Sequence, residues 1–365
     1  MLYRQLDSKD SGFIYILNYI IMTVAQLVAG LILAFVFGSL TDSALWFLMI
    51  LNQFVFMVMT FVYVKSKGIN PIAITGYKHK LTNKQIIMLP IITVLLLISS
   101  APIAMLFGMF TKAIGYNSQS SFPAIDTLGL FILAFVVMAI LPPLGEEFLF
   151  RNAILRGLKN KGYLFAAVIT SMMFSLMHGN VDQLVHQFFV GMVLAYVMQV
   201  TNTLWAPIIV HFSNNAIAIF LNLDFLNSLE LLIVLLIFLI LIIFGSVLVI
   251  MALKYFHTLE MEKRTGNHII EANPDNFIVK YGKTAKAMLC FLFSHSRRKK
   301  YIESYNSTMK GLDYDAVVEE PSESKDAEFI KLLIRNNDNP TIVYVGMVGA
   351  AIMVMISFLL GYVNI

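Results

Sequence analysis

An all-α, polytopic transmembrane helical bundle of about nine spans, with a small cytoplasmic insertion before the last, follows from three features of this 365-residue sequence. Apolar residues make up 58% of it and charged residues only 13%, far from the balance of soluble domains. Long uncharged stretches fill most of positions 12 to 253, and a hydrocarbon layer of about 30 Å requires runs of about twenty such residues. More than half of the Lys, Arg, Asp and Glu residues are gathered between Lys254 and Asp338.

Hydropathy predicts spans near 12–40, 44–64, 86–109, 127–150, 163–179, 183–200, 204–221, 229–255 and 341–363. The first is longer than a signal-peptide core and reads as a membrane span. The fourth carries Pro142-Pro143 near its middle; proline removes backbone hydrogen bonds and bends a helix, so a kink is expected just before Glu146 and Glu147. Basic residues set the orientation: Arg4 and Lys9 before the first span, Lys65 to Lys84 between the second and third, and Arg151 to Lys161 after the middle of the fourth. With Lys112 alone on the opposite loops, the N-terminus is expected in the cytoplasm of a multi-pass cell-membrane protein.

The chain divides into a bundle at 1–255, a cytoplasmic segment at 256–340 and a C-terminal transmembrane helix at 341–365. Within the segment, Ala285 to Phe293 is too short to span. Followed by Arg297-Arg298-Lys299-Lys300, it suits either an interfacial helix near anionic lipid or a buried helix of a small soluble domain. Gly311 to Lys325 is acidic, Ser-rich and expected to be flexible. Gly346 and Ala350 in the last span suit close helix packing. The net charge of +4 sits where topology requires it and indicates no nucleic-acid partner. A single cysteine, Cys290, excludes an internal disulfide and a Cys-rich metal site.

Ionisable groups inside spans cost several kcal/mol unless paired or hydrated, which makes each one a functional candidate. Here they are Glu146, Glu147 and Arg151 in the fourth span, His178 ending the fifth, His186 in the sixth and His211, with Asn215, in the seventh. Asp126, Asp182 and Asp224 read as loop or span-end positions. Glu147 and Arg151 are four apart, with the acid N-terminal, the favourable order for a helical ion pair. Glu146 points about 100° away around the helix and lacks a local partner, which suits it to chemistry. His178 shares a face with Phe174, and His211 shares one with Asn215. A packing network between helices would use the same residues, and for His186 a polar contact at a helix interface is the simpler reading. Signatures of zinc proteases, serine hydrolases and paired-aspartate proteases are missing, which leaves Glu and His to activate water.

Three motifs resemble those of the CPBP family of intramembrane proteases, also called the CAAX-protease or ABI family, the type II CAAX prenyl endopeptidase-like group. Glu146-Glu147-Phe148-Leu149-Phe150-Arg151 is similar to Glu-Glu-x-x-x-Arg, Phe174 to His178 to Phe-x-x-x-His, and His211 to Asn215 to His-x-x-x-Asn. The likeness covers about residues 125–221. It implies a hydrolase in which Glu146 and His178 polarise a water, His211 and Asn215 stabilise the oxyanion, and Glu147 and Arg151 support the site. It also implies no cofactor, since asparagine is a poor zinc ligand; a zinc-dependent version would use Glu146, His178 and His211. The short loops and the Ile, Asn and Lys usage look bacterial, where relatives mature peptides or confer bacteriocin self-immunity. The expected partners are the lipid bilayer and a peptide or membrane-protein substrate, with none identified for 256–340. A non-catalytic scaffold or immunity protein is the alternative. A proton-coupled transporter is disfavoured by the lack of an inverted repeat.

Overall fold

The computed structural model describes residues 5–38, 41–116, 123, 125–220, 230–266, 277–313 and 340–363, with side chains to Ile356. Asp224 and most of the acidic stretch before Lys325 lie outside the described residues. Eleven helices, α1 to α11, follow in order among the described residues, with no strand. They are Ser8–Phe37, Asp42–Ser66, Asn83–Ala113, Leu128–Lys161, Tyr163–Met177, Leu184–Thr201, Trp205–Phe220, Leu231–Thr265, Phe277–Phe293, His295–Leu312 and Thr341–Val363.

Six of these, α1 to α4, α6 and α8, are long and apolar enough to cross a membrane by length and composition. The shorter apolar helices α5, α7 and α11 occupy the remaining spans read from hydropathy. The exterior is apolar: Leu27, Leu31 and Phe35 on α1 and Leu232, Leu239 and Ile240 on α8 are exposed. Helices that satisfy their own backbone groups and present such surfaces are what a bilayer solvates, so the chain is a multi-pass membrane protein.

Capping residues start the long helices where a chain enters from a polar loop. Asp7 caps α1 and Thr82 caps α3, each in a reciprocal capping box, with Asp10 and Gln85 at the third position. Small residues set the tightest crossing. A Cβ on Gly346 of α11 would lie 2.9 Å from the Tyr15 ring and 3.0 Å from Ile16 on α1, and Ala350 one turn later is buried. This is the close packing expected of the last span.

The fourth span stays helical through the prolines at which a kink is expected. It runs as one helix whose hydrogen bonding widens to the π pattern at Phe135–Ile140 and again at Phe148–Ile154, on either side of Leu141–Glu147. Proline brings no N–H and its ring crowds the carbonyl four residues earlier, so a wider turn before Pro142 accommodates both defects without a break.

The end of the bundle that carries the basic loops is tied by buried acids. Asp10 meets Lys67 at 2.7 Å and the Tyr63 hydroxyl at 2.8 Å. Glu260 on α8 meets Lys263, Arg264 and the Gln85 amide at 2.6, 2.8 and 2.8 Å. The segment after α8 packs here too. Asp313 accepts from Tyr163 and pairs with Lys159, Tyr305 donates to Gln199, and Asn202, the left-handed cap of α6, donates to the Leu312 carbonyl. Helix α9 lies alongside α8 through Tyr281 and Phe244, 5.5 Å between rings. Its Phe277, Ile278, Leu289, Leu292 and Phe293 are exposed and only Thr284 is buried, so it is not the core helix of a small soluble domain.

Candidate active site

A cavity of about 860 Å³ opens among α1, α2, α4, α6, α7 and α11, and Glu146, His178, His211 and Asn215 all line it. His186, set aside on sequence grounds, lines it as well, with its ring 3.4 Å from the Ser100 hydroxyl.

Glu147 and Arg151 form the expected ion pair, 3.0 Å apart with both side chains fully buried. Arg151 also donates to the Gly191 carbonyl at 3.3 Å and rests 4.5 Å from the centre of the Phe174 ring. These contacts share out a cation that lacks water, the condition under which a buried guanidinium is tolerable. The same Glu147 oxygen lies 2.7 Å from His211 Nδ1. That contact was not anticipated, because spacing along one helix says nothing about which side chain another helix will present. The carboxylate therefore requires the Nδ1 proton and leaves Nε2 of His211 facing Glu146 Oε2 at 3.9 Å.

His178 caps α5, and its Nδ1 lies 2.8 Å from the Phe174 carbonyl oxygen. An acceptor there requires the proton on Nδ1 and leaves the Nε2 lone pair for the cavity. The Phe174 ring stands edge-on to both histidines, at 4.9 Å from His178 and 5.7 Å from His211. One aromatic thus braces three functional side chains. Asn215 donates to the Met138 carbonyl at 2.9 Å and accepts from Asn214 at 3.1 Å, which fixes its amide at the cavity wall. The Met138 carbonyl belongs to the widened turn before Pro142, so the π segment supplies an acceptor to the site.

Glu146 is buried, with one oxygen accepting from Gln53 Nε2 of α2 at 3.2 Å and the other, Oε2, without a protein partner. Gln53, Asn52, Gln187 and Asn214 all line the cavity, and each keeps a buried side-chain oxygen without a protein donor. A survey of ionisable groups passed over them, since a carboxamide carries no charge. Asn52-Gln53 in the middle of an apolar span was the available signal. No group of three or more His, Cys, Asp or Glu among the described residues is placed to hold a metal ion. His211 Nδ1 is held by Glu147 and His178 Nδ1 by a carbonyl, which leaves both Nε2 atoms open.

Residues 128–217 match the family model described as Type II CAAX prenyl endopeptidase Rce1-like. That segment is similar to the family so described, and it covers about a quarter of the chain. Over 116 residues the chain is 27% identical to the Bacillus subtilis (strain 168) protein named "Putative membrane peptidase YdiL". The alignment covers 32% of the chain and 48% of that relative, about half the relative's length. No solved structure matches the chain. The matched segment holds all seven defining residues of the three motifs, from Glu146 to Asn215. Helices α1 to α3 and everything after α7 lie outside it.

Proposed function

We propose that the protein is an intramembrane endopeptidase that hydrolyses a peptide or membrane-protein substrate with a water activated by Glu146 and His178. The observation that carries the reading is the convergence of Glu146, His178, His211 and Asn215, from two helices and one helix cap, on a single cavity. A water between the unpartnered Glu146 Oε2 and the bare Nε2 of His178 would donate both protons and turn a lone pair toward a carbonyl carbon. As the C–O bond forms, Glu146 takes one proton and the carbonyl oxygen becomes an oxyanion. Asn215 donates to it through its second amide hydrogen. His211 donates through Nε2, which requires the imidazolium, and Glu147 is the counter-charge for that form. Collapse of the intermediate breaks the C–N bond, and the proton held by Glu146 passes to the departing amine.

The proposed mechanism uses no resident metal. The reading places the chain in the cell membrane with its N-terminus in the cytoplasm, following the basic loops. Peptides released from membranes carrying wild type, Glu146→Gln or Glu146→Ala protein provide the test. Loss of specific cleavages with unchanged insertion and amount of protein supports hydrolysis; an unchanged peptide profile with intact biological activity supports a scaffold instead. Zinc that copurifies at one equivalent and tracks activity would overturn the metal-free form.

A further inference from the structure

Glu146 has one hydrogen-bond donor from the protein, and it comes from a helix outside the matched family segment. Gln53 of α2 donates from Nε2 to Glu146 Oε1 at 3.2 Å. Its own Oε1 is buried without a hydrogen-bond partner, and Gln53 lines the same cavity. Gly145, the residue before the glutamate, makes this approach possible. A Cβ there would stand 2.9 Å from the Gln53 carbonyl oxygen and 3.1 Å from its side-chain oxygen. The backbones of α2 and α4 thus meet closest beside Glu146, and the reach of a glutamine from that point is what the contact uses. Elsewhere Glu146 is faced by His211 from α7, His178 from α5, His186 from α6 and Tyr19 from α1 across the cavity, with Glu147 and Arg151 on its own helix.

We infer that Gln53 is the positioning residue for Glu146: it pins one carboxylate oxygen so that the other is presented to the reacting water. The inference rests on the hydrolytic reading above. It adds α2 to the machinery as a functional wall. A freely rotating carboxylate on a flexible side chain would sample several rotamers, whereas one held at Oε1 directs Oε2 into the space shared with His178 Nε2. The role belongs to orientation, so its loss falls on the chemical step and spares substrate binding.

Two measurements test it on the purified full-length protein. The first uses a fluorogenic peptide built on a cleavage sequence mapped by comparing wild-type and Glu146→Ala membranes. Gln53→Leu, of similar size but without a donor, should lower kcat about 10- to 100-fold with KM within about threefold of wild type. An unchanged kcat, or a loss confined to KM, overturns the inference. The second needs no activity: a double-mutant cycle of thermal unfolding with Gln53→Leu and Glu146→Leu. A bond between the two predicts that Gln53→Leu lowers Tm in the parent and has no further effect once Glu146 is leucine. Additive shifts overturn it. A wild type that cleaves nothing counts against the proposed hydrolysis, and the unfolding cycle then decides the Gln53 contact alone.

Discussion

Glu147 Oε1 is shared between two basic side chains, His211 Nδ1 at 2.7 Å and Arg151 Nη1 at 3.0 Å, and so locks α7 to α4 beside the cavity. The pairing divides the two glutamates by function. Glu146 Oε2 has no hydrogen-bond partner, while Glu147 Oε1 ties two helices together.

Breaking this triad should be costly and asymmetric. Glu147→Gln removes the negative charge that faces both Arg151 and His211, whereas Arg151→Met leaves Glu147 still paired with His211. Losing one partner of a fully buried ion pair costs about 3–5 kcal/mol, and Glu147→Gln is expected toward the top of that range. The double variant should regain most of the stability, because no buried charge is left uncompensated, yet stay inactive because His211 has lost its carboxylate. Denaturant unfolding in detergent, run beside peptide cleavage, separates the two effects.

Phe174 offers a finer test. Its ring contacts Arg151, His178 and His211, but the bond that sets the His178 tautomer goes to its backbone oxygen. Phe174→Leu therefore keeps the tautomer and removes the platform. A desolvated cation–π contact is worth about 2 kcal/mol, so Tm should fall measurably, with a drop in kcat of about tenfold as the histidines loosen. An unchanged kcat would show that the ring serves packing alone.

Much of this was legible in the sequence, for a physical reason. A charged group inside an apolar run is so costly that Glu146, Glu147, Arg151, His178 and His211 stand out unaided. Asn52, Gln53 and Asn214 were hidden because an uncharged amide is cheap enough in a bundle to look like filler. The His211–Glu147 contact and the docking of His295–Leu312 on the α5 and α6 ends depend on tertiary packing, which no periodicity encodes. The prolines announced a defect in the fourth span, but not that π turns would absorb it.

Gly145 makes that tertiary dependence measurable. With the Gln53 carbonyl 2.9 Å from a Cβ at this position, Gly145→Ala forces two backbones apart. Overpacking of this kind costs about 1–3 kcal/mol, and the displacement lies beside Glu146, so cleavage should fall further than stability. Gly30 of α1 has nothing within 4 Å of its Cβ position, and Gly30→Ala should leave Tm unchanged or slightly raised. Parallel melting curves and cleavage rates for the two variants check the contrast.

Glu260 permits the converse prediction, a loss of stability without a loss of chemistry. Its carboxylate is buried between Lys263, Arg264 and the Gln85 amide, and it does not line the cavity. Glu260→Gln leaves two cations without their acid. Both keep partial access to water, at 21% and 17% exposure, so the penalty falls below that of a fully buried pair, at about 1–3 kcal/mol. Gln85 loses an acceptor as well, although its capping bond to Thr82 remains and should hold the start of α3. Unfolding in detergent should register the drop, while kcat and KM of the folded protein stay at wild-type values. A kcat that falls with the substitution would mean that this end of α8 communicates with the cavity through α3, whose Thr93 reaches the Val210 carbonyl beside His211 at 3.4 Å.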